Sequence, residues 1–60
     1  MKILLEPGVW LAEGEDEDGP PRSLEEANAR EFASLHEAMI ALVDARRFKP
    51  FKNAQIVEEL

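Results

Sequence analysis

Apolar residues in this chain form two short runs, one long helical stripe and a short closing run. Ile3-Leu4-Leu5 and Val9-Trp10-Leu11-Ala12 are separated by Glu6-Pro7-Gly8. Proline followed by glycine suits the two central positions of a type II turn. The runs therefore read as arms of a tight hairpin. Type II turns match hairpin twist poorly, so one kinked strand is the alternative. Ala27 to Phe32 reads as a further strand, although alanine, asparagine and glutamate are mediocre strand formers. Tertiary pairing has to hold it.

Ser34-Leu35-His36-Glu37 opens a helix directly after that run. A serine hydroxyl accepts from the backbone N–H three residues on, and a glutamate there can reach back, forming a capping box. The helix runs from Leu35 to about Phe48. Leu35, Ala38, Met39, Leu42 and Ala45 recur at the three-four spacing of one buried face. His36, Glu37, Asp44 and Arg47 lie mostly away from it. Ile40 and Val43 widen the apolar surface beyond one stripe. The expectation is a thick contact with a sheet; a partner-facing strip is the alternative. Arg46 and Arg47 suit the negative pole of the helix dipole, and Lys49-Pro50 stops the helix. Ala54-Gln55-Ile56-Val57 reads as a last strand. The predicted fold class is α+β: a small antiparallel sheet of three to four strands with one helix packed on one face. It forms a single domain over 1–60, in which 13–24 is an acidic, Pro/Gly-rich loop expected to be mobile.

Sixty residues give a thin core. A chain this short buries only about 60% of the surface it exposes when unfolded. No cysteine is present to add a disulfide or a thiolate metal site. Oligomerisation is the remaining way to bury more apolar surface. The lack of cysteine fits a reducing cytoplasm, which is the expected location. No apolar run approaches the roughly 20 residues of a membrane helix, and Met1 to Leu5 is too short for a signal-peptide core.

The net charge of −6 is unevenly placed. Residues 1–26 carry eight acids against Lys2 and Arg22, whereas 27–60 carry five acids and five bases. The excess is concentrated between Glu13 and Asp18. This argues against non-specific nucleic-acid binding and against anionic membranes.

Candidate chemistry is sparse. His36 stands beside the helix cap with no serine or cysteine nucleophile arranged for it, and reads as a solvated histidine. From Gly14 onward, Asp16, Asp18, Gly19 and Glu25 fall on the third, fifth, sixth and twelfth positions of a calcium loop. Gly14 occupies the first ligand position, however, and Pro20-Pro21 interrupt the loop, so no metal site is expected. Gly8, Gly14 and Gly19 are too scattered to cradle a phosphate. The pairs Glu25-Glu26 and Glu58-Glu59 have no cleft to raise a pKa. No cofactor is expected, and the chain is not expected to be an enzyme.

Two features point to binding. Arg46, Arg47, Lys49 and Lys52 interleave with Phe48 and Phe51. This reads first as compensation of the helix end with core phenylalanines, and alternatively as a small anion- or nucleic-acid-contacting patch. If Val9 and Leu11 face the helix, Trp10 faces outward from the uncovered sheet face, as an interface anchor does. The opposite register makes Trp10 core. Trp10, Arg22, Arg47 and Phe51 are the candidate partner-binding residues.

The strand, serine cap and helix containing Glu37-Ala38, followed by Arg47-Phe48-Lys49-Pro50-Phe51-Lys52-Asn53-Ala54-Gln55-Ile56-Val57, resemble a group of small uncharacterised bacterial and bacteriophage proteins. Leu5 to Ala12 and Gly19-Pro20-Pro21-Arg22-Ser23 share in the resemblance, which spans nearly the whole chain. It implies a ββ(β)αβ fold and no activity. The acidic Glu15-Asp16-Glu17-Asp18 segment departs from that pattern by its length. The functional expectation is a non-enzymatic interaction module that binds a protein partner or itself through the open sheet face. The alternatives are an acidic inhibitor that mimics nucleic acid through Glu13 to Asp18, and a weak nucleic-acid binder through Arg46 to Lys52.

Overall fold

The computed structural model describes residues 1–14 and 19–58. Strands β1 (Lys2–Glu6), β2 (Val9–Leu11), β3 (Arg22–Ser23) and β4 (Gln55–Val57) form one antiparallel sheet in the order β3-β2-β1-β4. Helix α1 (Leu35–Arg46) packs on one face, over β1 and β4. The expected α+β architecture is what the chain adopts.

The strands sort their side chains by alternation. Ile3 and Leu5 of β1 are fully buried beneath the helix, while Leu4 between them faces the other way. In β2, Leu11 is buried and Val9 packs against the same core. Trp10 pairs with Leu4 on one side and Ser23 on the other, on the sheet face that no helix covers.

The hairpin reading of 2–12 holds, because β1 and β2 are paired. Gly8 has φ of 80°, the value needed at the second central position of a type II turn. The register shifts between Leu4 and Glu6. A bulge of this kind raises the local twist, and so reconciles the strands with a turn that would otherwise splay them.

Two stretches differ from expectation. The loop thought to extend to Leu24 ends earlier. Pro20 is buried, the Ala12 N–H donates to the Pro21 carbonyl at 2.9 Å, and Arg22–Ser23 pairs with β2. Residues 15–18 lie outside the described residues. Ala27 to Phe32 is not a strand. Glu26–Asn28 forms a 3-10 turn, followed by a single bridge from Ala29 to Ala12. Polar side chains here bond locally: Ser23 Oγ accepts from the Glu25 N–H at 3.1 Å, and Asn28 Nδ2 donates to Glu25 Oε2 at 3.2 Å. Such bonds offer the backbone an alternative to a ladder. Phe32 still anchors the segment in the core.

Helix α1 starts where the cap predicts. Ser34 Oγ accepts from the Glu37 N–H at 3.2 Å. Only this half of the capping box is formed; the return bond from the Ser34 N–H to the Glu37 carboxylate is not among the hydrogen bonds of the described residues. The helix ends at Arg46, two residues before the expected Phe48, because Phe48 is extended. That break leads into a 3-10 turn over Lys49–Phe51, which places Phe51 in the core. Arg46 Nε then donates to the Ala54 carbonyl at 3.0 Å, tying the helix end to the approach of β4.

The face expected of α1 holds at Ala38, Leu42 and Ala45 and fails at Leu35 and Met39. Ala38 and Ala45 are its buried residues, with Ala41 and Leu42 half-buried beside them. Leu35 and Met39, expected beneath the helix, are exposed. An alanine contact leaves little depth between helix and sheet. Ile3, Leu5, Leu11, Phe32 and Phe51 fill that space from the other elements. The bulky residues of the helix then have nowhere to go but outward.

Candidate functional site

The outward residues of α1 make the most distinctive surface of the molecule. Leu35, Met39, Ile40 and Val43 are 49%, 52%, 55% and 62% exposed. Positions three and four apart lie on one helix face, so 36, 39, 40 and 43 form a continuous strip along the axis. His36, Met39, Ile40, Val43 and Asp44 line a shallow apolar depression of about 360 Å³ on it. Among the described residues the only other large apolar side chain exposed to this degree is Leu24, beside β3. A contiguous exposed apolar patch can mark an interaction site.

The four candidates from the sequence do not form one site. Trp10 lies on the open sheet face as one register required, but it is half-buried among its strand neighbours rather than freely exposed. Phe51 is core, so as a partner contact it is a correction: its backbone follows the Phe48 break inward, leaving it 6% exposed. Arg22 is exposed, with its guanidinium 5.7 Å from the Phe51 ring centre and one nitrogen donating to the Pro20 carbonyl at 3.0 Å. Arg22 and Phe51 therefore meet on the helix side of the sheet, away from Trp10. Arg47 stands at the far end of α1 and, among the described residues, pairs only with Asp44, at 3.6 Å, with both side chains well exposed. Such a surface pair is weak.

The basic cluster is also divided by the fold. Phe51 is buried and Phe48 half-buried, so neither ring is offered as a free stacking platform, and Arg46 is engaged with the Ala54 carbonyl. Asp16 and Asp18 of the calcium-like spacing, and most of the acidic run from Glu13, lie outside the described residues. Glu25 bonds to Asn28. Among the described residues no three His, Asp or Glu side chains gather as a metal set requires. His36 is exposed at the rim of the apolar strip. A depression of about 110 Å³ between Leu11, Pro20, Ala45 and Phe48 is small beside the roughly 300–1,000 Å³ of ordinary ligand pockets, whereas an open hollow of about 490 Å³ beside Leu4, Pro7, Pro50 and Gln55 falls within that range.

The strip on α1 was half legible. Ile40 and Val43 already stood outside the expected buried face. Eight of the twelve helix residues are apolar, which is more than one face can bury. The missing signal was which residues the sheet would choose. Alanine spacing at 38, 41 and 45 was the clue.

The chain matches no family model, no curated protein and no solved structure. No helix among the described residues is long and apolar enough to cross a membrane.

Proposed function

We propose that this protein is a small non-enzymatic interaction module that docks against another protein surface through the outer face of α1. The observation that carries the reading is the strip of Leu35, Met39, Ile40 and Val43, all about half exposed or more while Ile3, Leu5 and Leu11 are buried. Counted from His36, Met39, Ile40 and Val43 stand at i+3, i+4 and i+7, the spacing of anchors on a helix that lies in a groove, and Leu35 flanks them. Methionine within this face adapts its shape to a partner. This moves the docking face from the open sheet to the helix. Trp10 is sheltered by Leu4 and Ser23, whereas Val43 has no comparable cover.

Capture of partners from the cell of origin tests the reading when two variants run beside the parent. Val43→Glu places a charge in the strip and should abolish capture. Gln55→Arg, on the uncovered sheet face opposite Leu4, should leave capture intact. Equal capture by parent and Val43→Glu overturns the reading. Loss with Gln55→Arg alone returns the docking face to the sheet.

A further inference from the structure

We infer that the surface α1 docks against is α1 of a second copy, the two helices lying antiparallel; this rests on the docking reading above and names its occupant. His36 and Asp44 line the two ends of the depression on the strip, with Glu37 on the flank of the first turn and Arg47 just past the last. In an antiparallel pair the first turn of one helix lies beside the last turn of the other. Glu37 then meets Arg47 of the second copy, and symmetry repeats the pair. A parallel pair would set Glu37 against its own copy and Arg47 against its own copy, with the helix dipoles aligned unfavourably.

The groups needed are available. The cap uses the Glu37 backbone N–H, and the Glu37 carboxylate makes no hydrogen bond or ion pair among the described residues. Arg47 holds Asp44 only at 3.6 Å across the surface. Arg46 is engaged with Ala54, so Arg47 is the arginine left to reach across. Charge also favours this face over others for self-contact. Residues 27–60 carry five acids and five bases, while the net −6 resides in 1–26. Helix α1 with its cap carries Glu37 and Asp44 against Arg46 and Arg47, so two copies meeting through it bring no net charge of their helices together.

The area sets the strength. A 12-residue helix is about 18 Å long and about 10 Å across. A stable standard interface takes about 800 Å² from each partner, close to a fifth of this protein's 4409 Å² surface. One helix strip supplies less than that. The pair is therefore reversible, forming as concentration rises.

Sedimentation equilibrium of the full chain from about 10 µM to about 1 mM, a span that brackets the dissociation constants of a weak reversible pair, tests the inference. The parent should move from the mass of one chain toward two. Val43→Glu should weaken pairing by about tenfold or more, since it buries an unpaired charge. Arg47→Glu should weaken pairing too, and adding Glu37→Arg to it should restore pairing, which only the antiparallel register allows. Helical circular dichroism checks that each variant is folded. Should a variant unfold, dilution of the parent followed by backbone NMR gives the same information, with amide shifts confined to 35–47. A parent of one-chain mass throughout, a pairing that Val43→Glu leaves unchanged, or shifts confined to the strands overturns the inference. A parent that never pairs yet loses capture of another protein on Val43→Glu sinks self-pairing alone. Loss of both results sinks the docking reading with it.

Discussion

Ala38→Leu and Met39→Ala form a crossed pair that isolates how α1 sits on the sheet. Ala38 is fully buried at the helix–sheet contact, and Met39 beside it is 52% exposed. Leucine at 38 adds an isopropyl group where the interior has no free depth. Overpacking of this kind costs about 1–3 kcal/mol. A 60-residue domain at about 0.05–0.15 kcal/mol per residue has about 3–9 kcal/mol in total, so the loss is a large fraction of stability. Truncating a fully buried methionine would cost about 2–5 kcal/mol. Met39 buries only half its surface, and alanine is the better helix former by a few tenths. The net cost of Met39→Ala is therefore below about 1 kcal/mol. Urea denaturation at low micromolar protein, where self-paired copies separate, reads both. With m near 1 kcal/mol/M for so small a chain, Ala38→Leu should lower the midpoint by about 1–3 M and Met39→Ala by less than about 1 M. A parent-like Ala38→Leu together with a Met39→Ala that loses more than about 2 kcal/mol would refute the orientation and place Met39, not Ala38, against the sheet.

Other perturbations follow from the same packing. Ser34→Ala removes the oxygen that accepts from the Glu37 N–H and should cost about 1 kcal/mol; an unchanged denaturation midpoint would count against the cap. Phe51→Ala should cost about 3–5 kcal/mol and leave little folded protein, while Arg22→Ala, which loses a partly exposed contact over that ring and a hydrogen bond to the Pro20 carbonyl, should cost about 1–2 kcal/mol. Gly8→Ala forces a side chain into φ of 80° and should destabilise by about 1 kcal/mol, seen as a lower melting temperature. Trp10→Ala should fall between the core and surface cases, because the ring is half-buried between Leu4 and Ser23. A fully unfolded Trp10→Ala protein would place the ring in the core.

The outline of the fold was legible because its signals are local. Pro7-Gly8 marked the hairpin, Ser34 marked the start of α1, and Lys49-Pro50 marked the region of its end. The errors lie where long-range choices decide. Ala27 to Phe32 lost its strand to hydrogen bonds of Ser23, Glu25 and Asn28 that no periodicity reveals. The short β3 at Arg22–Ser23 was hidden inside a proline-rich loop, because a two-residue strand has no pattern of its own. On α1, spacing put Leu35, Ala38, Met39, Leu42 and Ala45 on one face, and only its alanine side is buried against the sheet. Hydrophobicity favoured burying Leu35 and Met39, and the available depth favoured the alanines. For the candidate site, the sequence identified an excess of apolar residues on the helix but assigned the surplus to the core. Phe51 was a candidate contact because it interleaves with basic residues, yet the turn after Phe48 carries it inward.

Relaxation of side-chain methyls by a soluble paramagnetic gadolinium chelate, with the protein dilute, tests the outward face of α1 most directly. Ile40 and Ile3 serve as a matched pair, 55% and 0% exposed. The Ile40, Met39 and Val43 methyls should broaden strongly while those of Ile3 and Leu5 stay sharp. Met39 and Ile40 methyls as protected as those of Ile3 would contradict the account and remove the surface on which the proposed docking depends.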